Sequence, residues 1–101
     1  MQMTAEETLA DWNQQFDRVV QTMRDGGGKP GVASPDMGAG LTGLEVMQAM
    51  LAGRVPSPHI ADTLDCALLE VETGKAVFQG TPQLKHYNPL GTVHGGWYAT
   101  L

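Results

Sequence analysis

The chain has 101 residues, room for one domain at most, and 42% hydrophobic and 17% charged residues, the balance of an ordinary globular protein. A net charge of −5 without a Lys/Arg cluster excludes a nucleic-acid binder held by phosphate neutralisation and a polybasic membrane anchor. A single cysteine, Cys66, excludes an internal disulfide framework.

Glu6, Glu7 and Asp11 stand where a secretory leader carries positive charge, and no apolar run has the length of a membrane span. With the lone cysteine, this makes the expected compartment the cytoplasm.

Residues 4–24 carry Leu9, Trp12, Phe16, Val19, Val20 and Met23 at helical spacing, one apolar stripe. Thr4 and Glu7 match a capping box, and Gly26, Gly27 and Gly28 end the helix. Residues 25–40 are rich in Gly, Pro, Ser and Asp without a period and read as a linker. The domain division is therefore 1–40, a helix plus linker, and 41–101.

A second capping box, Thr42 to Glu45, opens a short helix through Leu44, Met47, Met50 and Leu51, with Gly53 at the position of a C′ glycine. From Thr63 the period changes to two: Leu64, Cys66 and Leu68 alternate with Asp65 and Ala67, as in a half-buried strand. Leu69 and Val71 shift the apolar phase by one, as at a β-bulge, which leaves Glu70 and Glu72 solvated. The turn Glu72-Thr73-Gly74-Lys75 leads to a return strand with Ala76, Val77 and Phe78, so 63–81 reads as a hairpin. Residues 82–91 are mostly loop, and a helix begins at 94–101. A lone hairpin is at best marginally stable without more strands or a packed helix. The fold class is α+β.

His59 and His86 lack metal-ligand spacing and read as surface or loop residues. Cys66, in the apolar phase of a strand, reads as inert core. Gly26-Gly27-Gly28-Lys29 lacks the spacing and preceding strand of a phosphate-binding loop. Arg54 and Lys85 are isolated cations, able to meet a phosphate or to solvate a surface.

The chemistry concentrates in Asn88-Pro-Leu-Gly-Thr-Val-His94-Gly95-Gly96, just before the first turn of a helix. A helix start offers unpaired N–H groups and partial positive charge, and glycine lets a substrate approach the backbone. Such a site stabilises an oxyanion. Each residue also has a plainer reading: Asn88 before Pro89 as a self-capping turn, His94 as an N-cap, Gly95 and Gly96 as close-packing residues.

Asn88, His94, Gly95 and Gly96, with the hairpin before them and Leu41-Thr42-Gly43-Leu44-Glu45 further upstream, resemble the hotdog-fold thioesterases, specifically the phenylacetate-degradation group. The resemblance spans 41–101 and rests on an Asn followed six residues later by His-Gly-Gly. It implies an antiparallel sheet around a central helix, homo-oligomers (dimer or tetramer) pairing through their sheets, and hydrolysis of acyl-CoA without a cofactor or metal.

By that resemblance, Asn88 places its amide near the thioester carbonyl. The Gly95 N–H polarises the same oxygen, His94 orients Asn88 or steadies the departing thiolate, and Gly96 lines the substrate site. The family's carboxylate, nine residues after the His, falls two residues past Leu101, so the chain is expected to be an N-terminal portion of the fold. Two other readings stay open: a non-catalytic acyl-binding or dimerisation module, and an inactive truncated product.

Overall fold

The computed structural model describes residues 2–101; residue 1 of the N-terminal segment lies outside them. Among the described residues, four α-helices and one two-stranded antiparallel sheet make a mixed α+β fold in the order α1 (Ala5–Asp25), α2 (Gly43–Leu51), α3 (His59–Leu64), β1 (Cys66–Glu72), β2 (Lys75–Gly80) and α4 (Gly95–Thr100). Short 3-10 turns occupy Pro35–Gly38 and Leu84–His86. No helix among the described residues is long and apolar enough to cross a membrane.

The Thr42 box forms in full: its hydroxyl accepts from the Glu45 N–H at 3.2 Å, and the Glu45 carboxylate accepts from the Thr42 N–H at 3.1 Å. At Thr4 only the hydroxyl half forms, accepting from the Glu7 N–H at 3.1 Å. Helices α1 and α2 end alike. Gly27 and Gly53 take φ of +87° and +80°, and the N–H one residue later reaches back to the carbonyl of Met23 or Ala49. The two helix ends then abut, so closely that a Cβ on Gly53 would lie 2.2 Å from the Met23 carbonyl oxygen.

The hairpin pairs Leu68 with Phe78 and Glu70 with Val77, leaving Leu69 as the extra residue. The bulge puts Leu68 and Leu69 consecutively into the core, as the slipped apolar phase predicts; Ala67, expected on the open face, is buried with them, while Cys66 is only half-buried. Glu70 stays exposed, paired with Lys75 at 3.5 Å and accepting from Gln15 at 2.8 Å.

Two expectations need correction. Thr63 and Leu64 are not strand but the end of α3, a six-residue helix that follows Pro58 and ends at Asp65 in the left-handed region, φ +50°. The apolar stripe of α1 is only half used. Phe16, Val20 and Met23 turn inward, whereas Leu9 and Trp12 are 56% and 53% exposed. Asn13 and Gln15 tie the helix to the hairpin instead, accepting from Gln79 at 3.1 Å and donating to Glu70.

Between α1, α2, α3 and β1 lies a groove of about 840 Å³, walled among others by Phe16, Met47, Met50, Leu68 and Phe78 and reached by Leu101. The radius of gyration, 15.3 Å, exceeds the roughly 13 Å of a close-packed domain of this length.

Candidate functional site

The loop from 86 to 94 folds back on itself. The His94 N–H donates to the His86 carbonyl at 2.8 Å, Tyr87 bridges Val93, and the Asn88 N–H donates to the Thr92 carbonyl at 2.8 Å. Asn88 organises the tip. Its Oδ1 accepts from the N–H groups of Leu90 (2.9 Å) and Thr92 (3.2 Å), while its Nδ2 donates to Thr92 Oγ1 at 2.8 Å. Two N–H donors fix which end of the amide is oxygen. One Nδ2–H remains without a partner among the described residues.

His94 is the N-cap of α4. Its Nδ1 accepts from the Gly96 N–H at 2.8 Å, so the neutral ring carries its proton on Nε2, where no described residue accepts it. Nothing among the described residues accepts the Gly95 N–H. The loop therefore presents three unspent donors: the Gly95 N–H, His94 Nε2–H and one Asn88 N–H. Asn88 and His94 share the loop without a hydrogen bond between them. Both side chains are organised by backbone groups of the loop itself.

The two glycines differ. A Cβ on Gly96 would stand 3.0 Å from His94 Nδ1, a tight contact to which the capping ring would have to yield by a few tenths of an ångström. A Cβ on Gly95 would meet nothing within 4 Å. Gly96 thus has a reason within the fold, and Gly95 has none.

Helix α4 is fastened by Trp97, 6% exposed, whose indole N–H donates to the Leu64 carbonyl at 3.0 Å. The indole packs over the end of the hairpin, where only glycine fits: a Cβ on Gly80 would lie 2.8 Å from Trp97 Cζ2. Tyr98 meets Trp97 edge-on at 5.3 Å.

Of the two histidines read as surface or loop residues, His59 is exposed; His86 lies in the loop segment but is not a surface residue, being 8% exposed and hydrogen-bonded through both ring nitrogens. Spacing along the chain could not reveal it, because both of its partners are backbone groups. Lys85 pairs with Asp65 at 3.2 Å, and Arg54 is exposed without an ion pair among the described residues. Cys66 lies at the groove, where burial and the neighbouring Asp65 charge push its thiol above the ordinary cysteine value. Among the described residues no group of three or more His, Cys, Asp or Glu is placed to hold a metal ion. No protein-family model matches the chain, and neither a curated protein nor a solved structure is significantly similar to it.

Proposed function

We propose that this chain carries the carbonyl-polarising part of a hotdog-fold acyl-CoA thioesterase. The observation that carries the reading is Gly95: a glycine at a helix start, unneeded for packing, with its N–H unspent, directly following the cap residue His94, whose Nε2–H is also unspent. Backbone N–H groups at a helix start stabilise the negative charge that develops on a thioester oxygen. The hotdog expectation draws support from α4 lying against the end of the hairpin through Trp97 and Gly80.

In this reading the thioester carbonyl accepts from the Gly95 N–H and the free Asn88 N–H. His94 Nε2–H steadies the thiolate of CoA as it leaves. The oligomer expected of the family, a dimer or tetramer paired through the sheets, and a cytoplasmic location belong to the same proposal. The second reading, a binding module without hydrolysis, is favoured by the engagement of Asn88 in its own loop.

The test is ¹³C NMR of an acyl-CoA labelled at the thioester carbonyl. Polarisation moves the bound carbonyl resonance downfield, and Asn88→Ala or Gly95→Ala diminishes that shift. Binding without a shift supports the module instead. No binding, with no thiol released from aliphatic or arylacetyl-CoA, overturns both readings.

A further inference from the structure

The loop that holds Asn88 and Gly95 has little apolar burial of its own, since Tyr87 is exposed and Leu90 is 89% exposed. It is instead pinned at its two ends by ring N–H groups. The last turn of a helix leaves its carbonyls without intrahelical partners. At the end of α3 two successive carbonyls are taken this way: Thr63 O by His86 Nε2 at 2.8 Å, and Leu64 O by Trp97 Nε1 at 3.0 Å.

The His86 ring has a second bond, accepting at Nδ1 from the Gln83 N–H at 2.8 Å. A backbone N–H only donates and a carbonyl only accepts. The Nε2–H tautomer is therefore the neutral form that satisfies both. The Asp65 carboxylate, 3.9 Å from Nε2 and shared with Lys85, favours a proton on that same nitrogen.

The main chain of this residue completes the arrangement. The His86 carbonyl takes the His94 N–H, so the pinned residue is also the one on which the chain closes before α4 starts. His86 and His94 are thus tied through the main chain, together with the Tyr87–Val93 bridge, and His94 caps the helix that begins at Gly95.

We propose that His86 is a positioning residue of the candidate site: its ring, docked on the end of α3, sets the place of the His94 cap and the Gly95 N–H. The inference rests on reading that loop as a thioester site. His86 does not touch the thioester; it acts through the loop.

The ring nitrogens are read first, by ¹⁵N NMR on the unaltered protein. The expected spectrum has a protonated Nε2 and an unprotonated acceptor Nδ1; a proton on Nδ1 at neutral pH overturns the proposal. Two variants follow. His86→Phe keeps a ring but loses both bonds. His86→Gln keeps an N–H close to the Nε2 position, able to reach Thr63 O.

In His86→Phe the His94 amide should exchange with solvent about tenfold faster or more, while the hairpin amides stay unchanged. His86→Gln should recover much of that protection. With labelled acyl-CoA, the carbonyl shift should shrink in the Phe variant and return in the Gln variant. If His86→Phe leaves the His94 and Gly95 amides where they were, the clamp is wrong. If the thioester reading is the part that fails, the unaltered protein gives no carbonyl shift, while the amide effects still appear.

Discussion

The contrast between Gly95 and Gly96 makes a sharp prediction, because one methyl group should act differently at adjacent residues. At Gly95 the added Cβ meets nothing within 4 Å. Replacing glycine by alanine near a helix start then recovers part of the roughly 0.5–1 kcal/mol that glycine costs in a helix, so Gly95→Ala should raise stability by about 0.5 kcal/mol. At Gly96 the Cβ lies 3.0 Å from Nδ1 and 3.2 Å from Cε1 of His94, so the capping ring must move. The shift needed is a few tenths of an ångström, so only part of the about 0.5–2 kcal/mol that an N-cap is worth is lost, and Gly96→Ala should come out less stable than Gly95→Ala by up to about 1 kcal/mol.

Urea unfolding followed by far-UV circular dichroism reads both differences as shifts in midpoint at constant slope. In thermal melts, 1 kcal/mol corresponds to about 4–8 °C for a domain of this length. A Gly95→Ala protein that loses more than about 1 kcal/mol would show that residue 95 is glycine for a reason inside the fold. The inference that it is kept open for a ligand would then collapse. If Gly95→Ala folds well yet no longer shifts the labelled carbonyl, stability and function have been separated at one atom.

Trp97→Phe should cost about 1–3 kcal/mol, because it strips the donor from the Leu64 carbonyl at 3.0 Å, and Trp97→Ala about 3–5 kcal/mol; both are measured by urea unfolding. Gly53→Ala forces an L side chain into φ +80° with its Cβ 2.2 Å from a backbone oxygen, so a loss of about 2 kcal/mol or more is expected in the same assay. The Glu45 carboxyl is held below its ordinary value of 4.5 by the Thr42 N–H and hydroxyl. Its contribution to stability is therefore present above that value and lost as the pH falls through the lowered one; an NMR titration should give a midpoint below 4.5 that returns upward in Thr42→Ala. With its thiol raised by burial and by Asp65, Cys66 should alkylate several-fold more slowly at pH 8 than a free cysteine, and at the free rate in urea.

Much of this fold was legible in the sequence because its signals are local. The Thr42–Glu45 box, the glycine after α2, the turn at Gly74 and the phase slip at Leu69 each depend on residues within a few positions of one another, and each stands where the sequence put it. Helix α3 was not legible. Six residues are too few for a helical period, and the helix stops at Asp65 rather than at a glycine, so Leu64 fell in with the alternation of the strand. The box at Thr4 matched in letters, but the Glu7 carboxylate does not return to the N-cap N–H. At the candidate site, the residues of the loop were legible and their support was not. His86 and Trp97 bond to carbonyls 23 and 33 residues away, a pairing that only the folded chain defines.

The groove and the hydrogen-bonded corners belong to one argument about where stability resides. An enclosed void of about 840 Å³ would cost roughly 20 kcal/mol at about 24 cal/mol per Å³, more than the whole stability of a typical domain. Among the described residues the space is an open groove, and its apolar walls contribute far less there than a packed core of the same residues would. Among the described residues, Ala67, Leu68 and Leu69 of β1, with Ala49, Val55 and Trp97, form the buried apolar set. Among the described residues, backbone groups satisfied at close quarters add to this small core: the abutting ends of α1 and α2, and the two carboxy-terminal carbonyls of α3 capped by His86 and Trp97. The second of these corners carries the candidate loop. A change that frees Thr63 O or Leu64 O should therefore loosen Asn88 and Gly95 before it unfolds the hairpin, because the loop depends on those two bonds and the hairpin on its own ladder.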